Sequence, residues 1–437
     1  MHYIRLLRPA KLQSSSEALF VSLLFTITTD LGDSFLCPED GSMDLAIIAE
    51  HGTADPADPA AAEVAIAQRG RLTCRCKWKT GMRVLDAKVK LWPGSRPEAV
   101  NCRVVIQPAQ QEESRGNTVS TASVGVLRVG DLLPWIDGED KELHVGVVMP
   151  TAFDFVNGVC APVSVRTLGL GAGFFNRGNE SGSGSGSGSS SSNSDHLNLY
   201  FEEDIGESIA RHIWDAGVVT SAYLADESHT ISDIFPVDHE NFSVLELGTG
   251  VGILGITIAS ILPRVAAAQK RVLGNARVLL TDLEEAEERA RSNIAKAKAA
   301  LALNPINGTR VTIEYENLDW DEGREGRFGP LAAAVPWDFV TLSDCTYNVD
   351  SLPALVGTLT ALHRAKECHQ DPGKGSLTKS SVLLATKPRH SSEEALFGLL
   401  KDQGWTYWRA EEIPLPKIGE KREVVQIYVL QKSSSFS

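Results

Sequence analysis

Residues 243–255, Ser-Val-Leu-Glu-Leu-Gly-Thr-Gly-Val-Gly-Ile-Leu-Gly, hold the side chains and spacing best suited to chemistry. An apolar run meets Glu246, and Gly248, Gly250, Gly252 and Gly255 follow before an apolar, helix-like segment to Leu262. Glycine accepts positive φ and lets backbone approach a ligand closely. The Gly250-x-Gly252-x-x-Gly255 spacing also fits a dinucleotide fingerprint, so the glycines alone leave the ligand open. Glu246 decides between the two. A carboxylate beside the turn repels a pyrophosphate and suits the ammonium group of S-adenosylmethionine (SAM).

Further acids stand after later apolar runs. Asp282 ends Val278-Leu-Leu-Thr-Asp282, and Asp319 lies in Asn317-Leu-Asp-Trp320. A carboxylate at Asp282 can accept from both hydroxyls of a ribose diol. Asp319 can accept from an adenine amine, with Trp320 giving an aromatic face. Each acid taken singly also reads as a helix N-cap, Asp282 above all because a helical pattern follows it. Three acids in register after successive strands are hard to explain as caps alone. A fourth run ends in Ser343-Asp-Cys-Thr-Tyr347.

The elements that must position these residues alternate. Strands are expected at 244–246, 278–281, 311–315, 339–343, 382–386 and 424–430. Helices are expected at 203–225, 253–262, 284–303, 351–366 and 393–403. This alternation predicts a mostly parallel sheet covered on both faces, with the ligand at the carboxyl ends of the strands near the switch in strand order. Two longer connections, 263–276 and 366–380, are expected as tolerated surface insertions, with a role in partner docking as the alternative.

Before this part stands a Ser-Gly and Ser run at 181–194, which cannot bury apolar surface. It divides the chain into an expected β-rich accessory domain (1–175), a flexible linker (176–197) and the α/β domain (198–432). The first part alternates apolar and polar residues at 19–28, 71–77, 84–91, 103–106, 124–129 and 144–148, with turn signals such as Pro93-Gly94 between them. Residues 53–67 and 107–121 look like surface loops or disorder. No constellation of His, Cys and carboxylates falls at useful spacing there, so packing or partner docking is the expected role.

The 437 residues leave ample chain for a full core. A net charge of -14, from 42 Lys and Arg against 56 Asp and Glu, argues against binding nucleic acid through the overall field and fits a basic, lysine-bearing protein partner. The 7 cysteines are scattered, without C-x-x-C pairs. They are expected as reduced thiols, and no metal site is expected. The apolar stretch 18–28 is too short to span a bilayer, so neither a signal peptide nor a membrane span is expected. The cytoplasm, with the nucleus as a second compartment, is the expected location.

With these motifs together, the chain from about residue 200 to 430 resembles the seven-β-strand protein methyltransferases, specifically the lysine-methyltransferase type known as methyltransferase family 16. The resemblance rests on Ile213-Trp-Asp-Ala-Gly-Val-Val219, the glycine run, Thr281-Asp282, Asn317-Leu-Asp-Trp320 and the Asp-x-x-Tyr element at Asp344 and Tyr347. It implies a Rossmann-like class I domain with SAM as cofactor. It implies that Trp214 borders the methionine end of SAM, although a lone tryptophan also reads as core. It implies that Asp344 orients or accepts from the target amine and that Tyr347 walls the acceptor channel. Asp-Cys-Thr-Tyr differs from the Asn-Pro-Pro-Tyr type that suits amide or nucleobase nitrogens, which favours an amine. Cys345 is expected as packing, since no His pairs with it and methyl transfer needs no nucleophilic thiol.

The function expected is therefore a SAM-dependent protein N-methyltransferase acting on lysine. A small-molecule N-methyltransferase and a non-catalytic SAM-fold binding module are the alternatives, the latter opposed by the intact acids Glu246, Asp282 and Asp344. The sequence leaves open which substrate is taken.

Overall fold

The computed structural model describes all residues except 16–17, 52–70, 93–96, 110–123, 130–147, 171–196, 207–208, 227–236, 238–239, 304–307, 370–378, 416–422 and 434–437. The linker region up to 196, most of the loop expected at 107–121, the loop at 53–67 and the strand start at 144–147 therefore lie outside the described residues. The chain divides into two units, 1–209 with 416–422, and 210–415 with 423–437.

The first unit is a β-sandwich. One sheet holds His2–Leu6, Lys11–Ser14, Leu19–Thr28, Leu85–Lys90 and Val148–Met149. The other is built on Leu197–Asp204, Val163–Leu170, Thr151–Val156, Cys102–Pro108, Ser42–His51 and Arg71–Lys79 in spatial order. Alternate side chains of both sheets, among them Ile4, Val21, Phe25, Ile47, Val104 and Phe153, fill one shared core. The β-rich reading holds, although several of these strands were not among those expected.

One strand corrects the sequence reading. The helix expected from 203 begins only at Asp215, and Leu197–Asp204 is instead a strand paired antiparallel along Val163–Leu170. Its burial alternates with period 2: Leu197, Leu199, Phe201 and Glu203 point inward. Glu203 takes a charge-assisted bond from Arg166, which is fully buried and also donates to the carbonyls of Pro150 and Ile4, each at 2.7 Å. Glu203, expected as the first residue of a helix, instead balances a buried guanidinium. The first unit includes this strand and runs to Ile209.

The second unit carries a seven-stranded sheet. Its strands are β1 (Asn241–Leu247), β2 (Asn275–Asp282), β3 (Arg310–Asn317), β4 (Phe339–Ser343), β5 (Lys379–Thr386), β6 (Thr406–Pro414) and β7 (Val424–Ser433), in spatial order β3-β2-β1-β4-β5-β7-β6. β1 to β5 are parallel; β7 runs antiparallel to both β5 and β6. The order reverses between β1 and β4, which is where an open α/β sheet leaves a crevice at its carboxyl edge. This is the Rossmann-like class I methyltransferase arrangement. Its helices are α1 (Asp215–Ala225), α2 (Ile253–Ala268), α3 (Glu284–Leu303), α4 (Leu352–Cys368) and α5 (Ala395–Asp402).

Two further differences have local causes. β6 was not expected, because Arg409, Glu411 and Glu412 interrupt its apolar pattern; it is an edge strand in which only Ile413 is buried, where such residues are tolerated. α2 runs through Pro263 to Ala268, beyond the expected stop at Leu262, so the first half of the connection before β2 is helix. Among the described residues no helix is long and apolar enough to cross a membrane.

Candidate active site

The turn after β1 is built by positive-φ glycines: Gly248 at 63°, Gly250 at 55° and Gly252 at 90°, the last being the N-cap of α2. At Gly248 and Gly252 its walls leave no room for a side chain. A Cβ on Gly248 would lie 2.5 Å from the Cys345 Sγ and 3.2 Å from the Trp320 ring, and one on Gly252 would lie 2.9 Å from Leu280. Buried groups hold the turn from behind. The Asn293 side-chain amide donates to the Val251 carbonyl at 2.8 Å, and the Thr281 hydroxyl donates to the Glu246 carbonyl at 2.6 Å.

Glu246 lies beneath this turn and is 1% exposed. Its Oε2 accepts from the Thr249 hydroxyl and, at 3.0 Å, from the Gly255 N–H. Its Oε1 has no hydrogen-bond partner in the protein. Burial pushes this carboxyl up to about 8, against the pull of Thr249 and Gly255 and with a further push from Asp282. A buried carboxylate oxygen without a partner, under a glycine cradle, fits a cationic amine.

Asp282 closes the other side. Its Oδ2 accepts the Gly250 N–H at 2.7 Å and its Oδ1 the Leu283 N–H at 2.8 Å. Burial raises its carboxyl, while these two N–H groups oppose the rise. The residue therefore organises the turn as well as standing where a ribose could reach it. Asp319 behaves as a cap: exposed, it accepts from the Asp321 N–H at 2.8 Å and opens the helical turn Trp320–Gly323. The Trp320 ring stands beside Gly248.

After β4, Asp344 adopts φ 53°, a left-handed conformation that a non-glycine residue holds only when its surroundings fix it. Its backbone N–H donates to the Ala385 carbonyl at 3.0 Å. Its Oδ2 accepts the Ala216 N–H of α1 at 2.7 Å, and its Oδ1 pairs with Arg389 Nη1 at 2.8 Å. The Arg389 guanidinium lies 5.4 Å from the centre of the Trp214 ring. Trp214 and Asp344 are thus brought together through a residue the sequence reading missed. The signal available was a basic residue in Lys387-Pro-Arg389 just past β5, with nothing in the sequence to name its partner.

Tyr347 is 54% exposed beyond this cluster. Cys345 is buried, its Sγ 3.2 Å from the Ser343 carbonyl and 3.4 Å from that of Leu247. Burial and the surrounding carboxylates push its thiol well above the ordinary range, so it stays protonated and packs as expected. Among the described residues no cluster of His, Cys, Asp and Glu could hold a metal ion.

Residues 193–403 match the family model described as lysine methyltransferase. A UPF0665 family protein of Schizosaccharomyces pombe is 33% identical over 236 residues, 54% of this chain and 56% of that protein. Protein N-lysine methyltransferase METTL21A of Danio rerio is 28% identical over 154 residues, 35% of this chain and 56% of that protein. Its Xenopus tropicalis counterpart is 26% identical over 205 residues, 47% of this chain and 73% of that protein. The chain thus spans just over half the length of the first two relatives. Among solved structures, M. jannaschii TYW2 with AdoMet aligns at TM-score 0.28 and 13% identity, over 54% of this chain and 82% of that one. At that score the likeness adds nothing to the fold drawn from the strand order.

Proposed function

We propose that this chain transfers methyl groups from S-adenosylmethionine to lysine side chains of a protein, a reading supported by the match of residues 193–403 to the family model described as lysine methyltransferase. The cofactor supplies a methyl group already activated on a sulfonium. The chain's own residues bind, align and exclude water. Glu246 Oε1 and the glycine turn hold the amino-acid end, Asp282 the ribose, and Trp320 one face of the adenine. Trp214 would border the methionine end of SAM, and Tyr347 would form the exposed wall of the acceptor's entry.

The observation that carries the reading is the fixed Asp344 at the switch point, with Tyr347 exposed three residues on. Aromatic side chains such as Trp214 and Tyr347 suit the apolar stem of a lysine side chain. A net charge of -14 suits a basic protein partner. The test is incubation of the purified chain with labelled SAM and dialysed cell lysate, followed by mass spectrometry of labelled peptides. Methyl groups on a lysine ε-nitrogen are expected. Labelling confined to added small amines overturns the reading.

A further inference from the structure

We infer that the edge strand Arg71–Lys79 of the β-sandwich is a docking site for an acidic, extended segment of a partner protein, which pairs along it as an added strand. This goes beyond the lysine reading and rests on the first unit alone.

The strand ends its sheet: among the described residues it pairs only with Ser42–His51. The outer edge of such a strand presents backbone N–H and C=O groups, the template by which an extended peptide joins a sheet. Its two faces are unlike. Leu72, Cys74 and Cys76 pack against the sandwich core, yet they are only half-buried. One strand further in, their cross-strand neighbours Ala49, Ile47 and Leu45 are each 0% exposed. The core thus stays open at this edge, and apolar side chains on an added strand would close it. The opposite face carries Arg71, Thr73, Arg75, Lys77 and Lys79, all exposed.

The charge on that face selects the partner. The adjoining strand offers it two acids, Glu50 and Asp44, against four cations. Glu50 lies 3.9 Å from Arg71 and Asp44 lies 3.3 Å from Lys77, so each acid already answers one cation. Residues 71–90 together hold seven Lys and Arg beside a single acid, Asp86, in a chain whose net charge is -14. Positive charge gathered against the sign of the whole chain suits an anionic partner. Alternate residues of a strand stand about 6.6 Å apart, so acids at every second position of an added strand would meet Arg75, Lys77 and Lys79 in turn. Its remaining side chains would fall on the core face, beside Leu72, Cys74 and Cys76.

Two other occupants fit worse. A second copy pairing through this strand would set cations against cations, which destabilises a sheet. Single-stranded nucleic acid asks for exposed aromatic platforms. The strand's one aromatic, Trp78, is fully buried, and its Nε1 donates to the Leu36 carbonyl at 2.8 Å. Basic residues that guard an edge against its own kind leave it open to an acidic strand.

The test is fluorescence anisotropy of the full chain with a labelled eight-residue peptide of alternating Glu and Val, followed by hydrogen exchange of the complex. Binding is expected, weakened by salt, with new amide protection over Arg71–Lys79. A peptide alternating Gln and Val should bind about 10-fold more weakly, since an opposite-charge pair across strands is worth up to about fivefold and several are lost. Lys77→Glu with Lys79→Glu should lower affinity for the acidic peptide by about 10-fold or more, and should raise affinity for a peptide alternating Lys and Val. If that variant fails to fold, the Glu and Gln peptides on the wild-type chain decide. Equal binding of a peptide with the same Glu and Val in separate blocks would mean charge without strand pairing and overturns the proposal. So does an absence of binding, protection confined to residues outside Arg71–Lys79, or an oligouridine RNA that binds more tightly than the acidic peptide. None of these measurements reads methyl transfer, so failure here is distinct from failure of the lysine reading.

Discussion

Asp282 and Gly250 are joined by a 2.7 Å bond from the glycine N–H to the carboxylate, so the end of β2 holds the turn that follows β1. The acid that could meet a ribose therefore also shapes the cradle beside it. Asp282→Ala should weaken SAM binding by about 10- to 100-fold, the loss of hydrogen bonds to a charged group. It should lower the melting temperature without SAM as well, since the Gly250 and Leu283 N–H groups lose their acceptor. Melting curves with and without SAM, beside calorimetry, check both. Unchanged SAM affinity with a lowered melting temperature would reduce Asp282 to a brace.

Glu246 gives a pH signature. Its carboxyl titrates at about 8 in the fold, raised from the 4.5 of the exposed group by burial. Between these values the folded chain holds a proton that the unfolded chain has released, so the contribution of Glu246 to stability is fully present below about 4.5 and is lost as pH rises through about 8. Glu246→Gln should flatten that part of the stability–pH curve relative to wild type. SAM should bind wild type with release of a proton near neutral pH, because a cationic amine at Oε1 favours the ionised carboxylate. Calorimetry in buffers of different ionisation enthalpy reads the proton directly. Binding without proton release would remove Glu246 from the amine site.

Much of this was legible in the sequence because it is local. The glycine turn, Glu246 and Asp282 announce themselves by spacing, and apolar runs placed six of the seven strands. What stayed hidden depends on partners far along the chain. Glu203 looked like the start of a helix because its partner Arg166 stands 37 residues away and on another strand. Arg389 carries no motif, and its role appears only when β5 is laid beside β4 and brings it to Asp344. Asp319 was ambiguous for the opposite reason: capping and ligand binding ask for the same residue, and the structure uses it at the Asp321 N–H.

The glycines separate space from conformation. Gly252 at φ 90° has Leu280 and Ile256 where a Cβ would go, at 2.9 and 3.1 Å. Gly252→Ala should therefore cost at least the roughly 1–2 kcal/mol of a left-handed residue, before any displacement of Leu280, and should weaken SAM binding. Gly398 in α5 has nothing within 4 Å of a Cβ and an ordinary φ. Gly398→Ala should stabilise by about 0.8–1 kcal/mol through helix propensity alone and leave SAM binding unchanged. Denaturant melts of the two variants should move in opposite directions. A neutral Gly252→Ala would show that the turn relaxes easily.

Tyr347 tests the acceptor element apart from the cofactor. Its ring is 54% exposed, and its hydroxyl is pushed above the ordinary range by burial and by Cys345 and Asp282, so it remains a proton donor through any practical assay pH. Tyr347→Phe keeps the wall and removes only that donor. Losing one hydrogen bond to the aligned acceptor should slow methyl transfer by about 2- to 10-fold. Tyr347→Ala removes the wall, and an acceptor displaced by about 1 Å can lose about 10²-fold in rate. Neither substitution should alter SAM affinity, because the cofactor cradle is built on β1, β2 and the segment after β3. The measurement is initial rate of methyl incorporation into lysate proteins beside SAM titration for each variant. A wild-type rate in Tyr347→Ala would place the acceptor elsewhere on the carboxyl edge of the sheet, whereas a parallel loss of SAM binding would make Tyr347 part of the cofactor site.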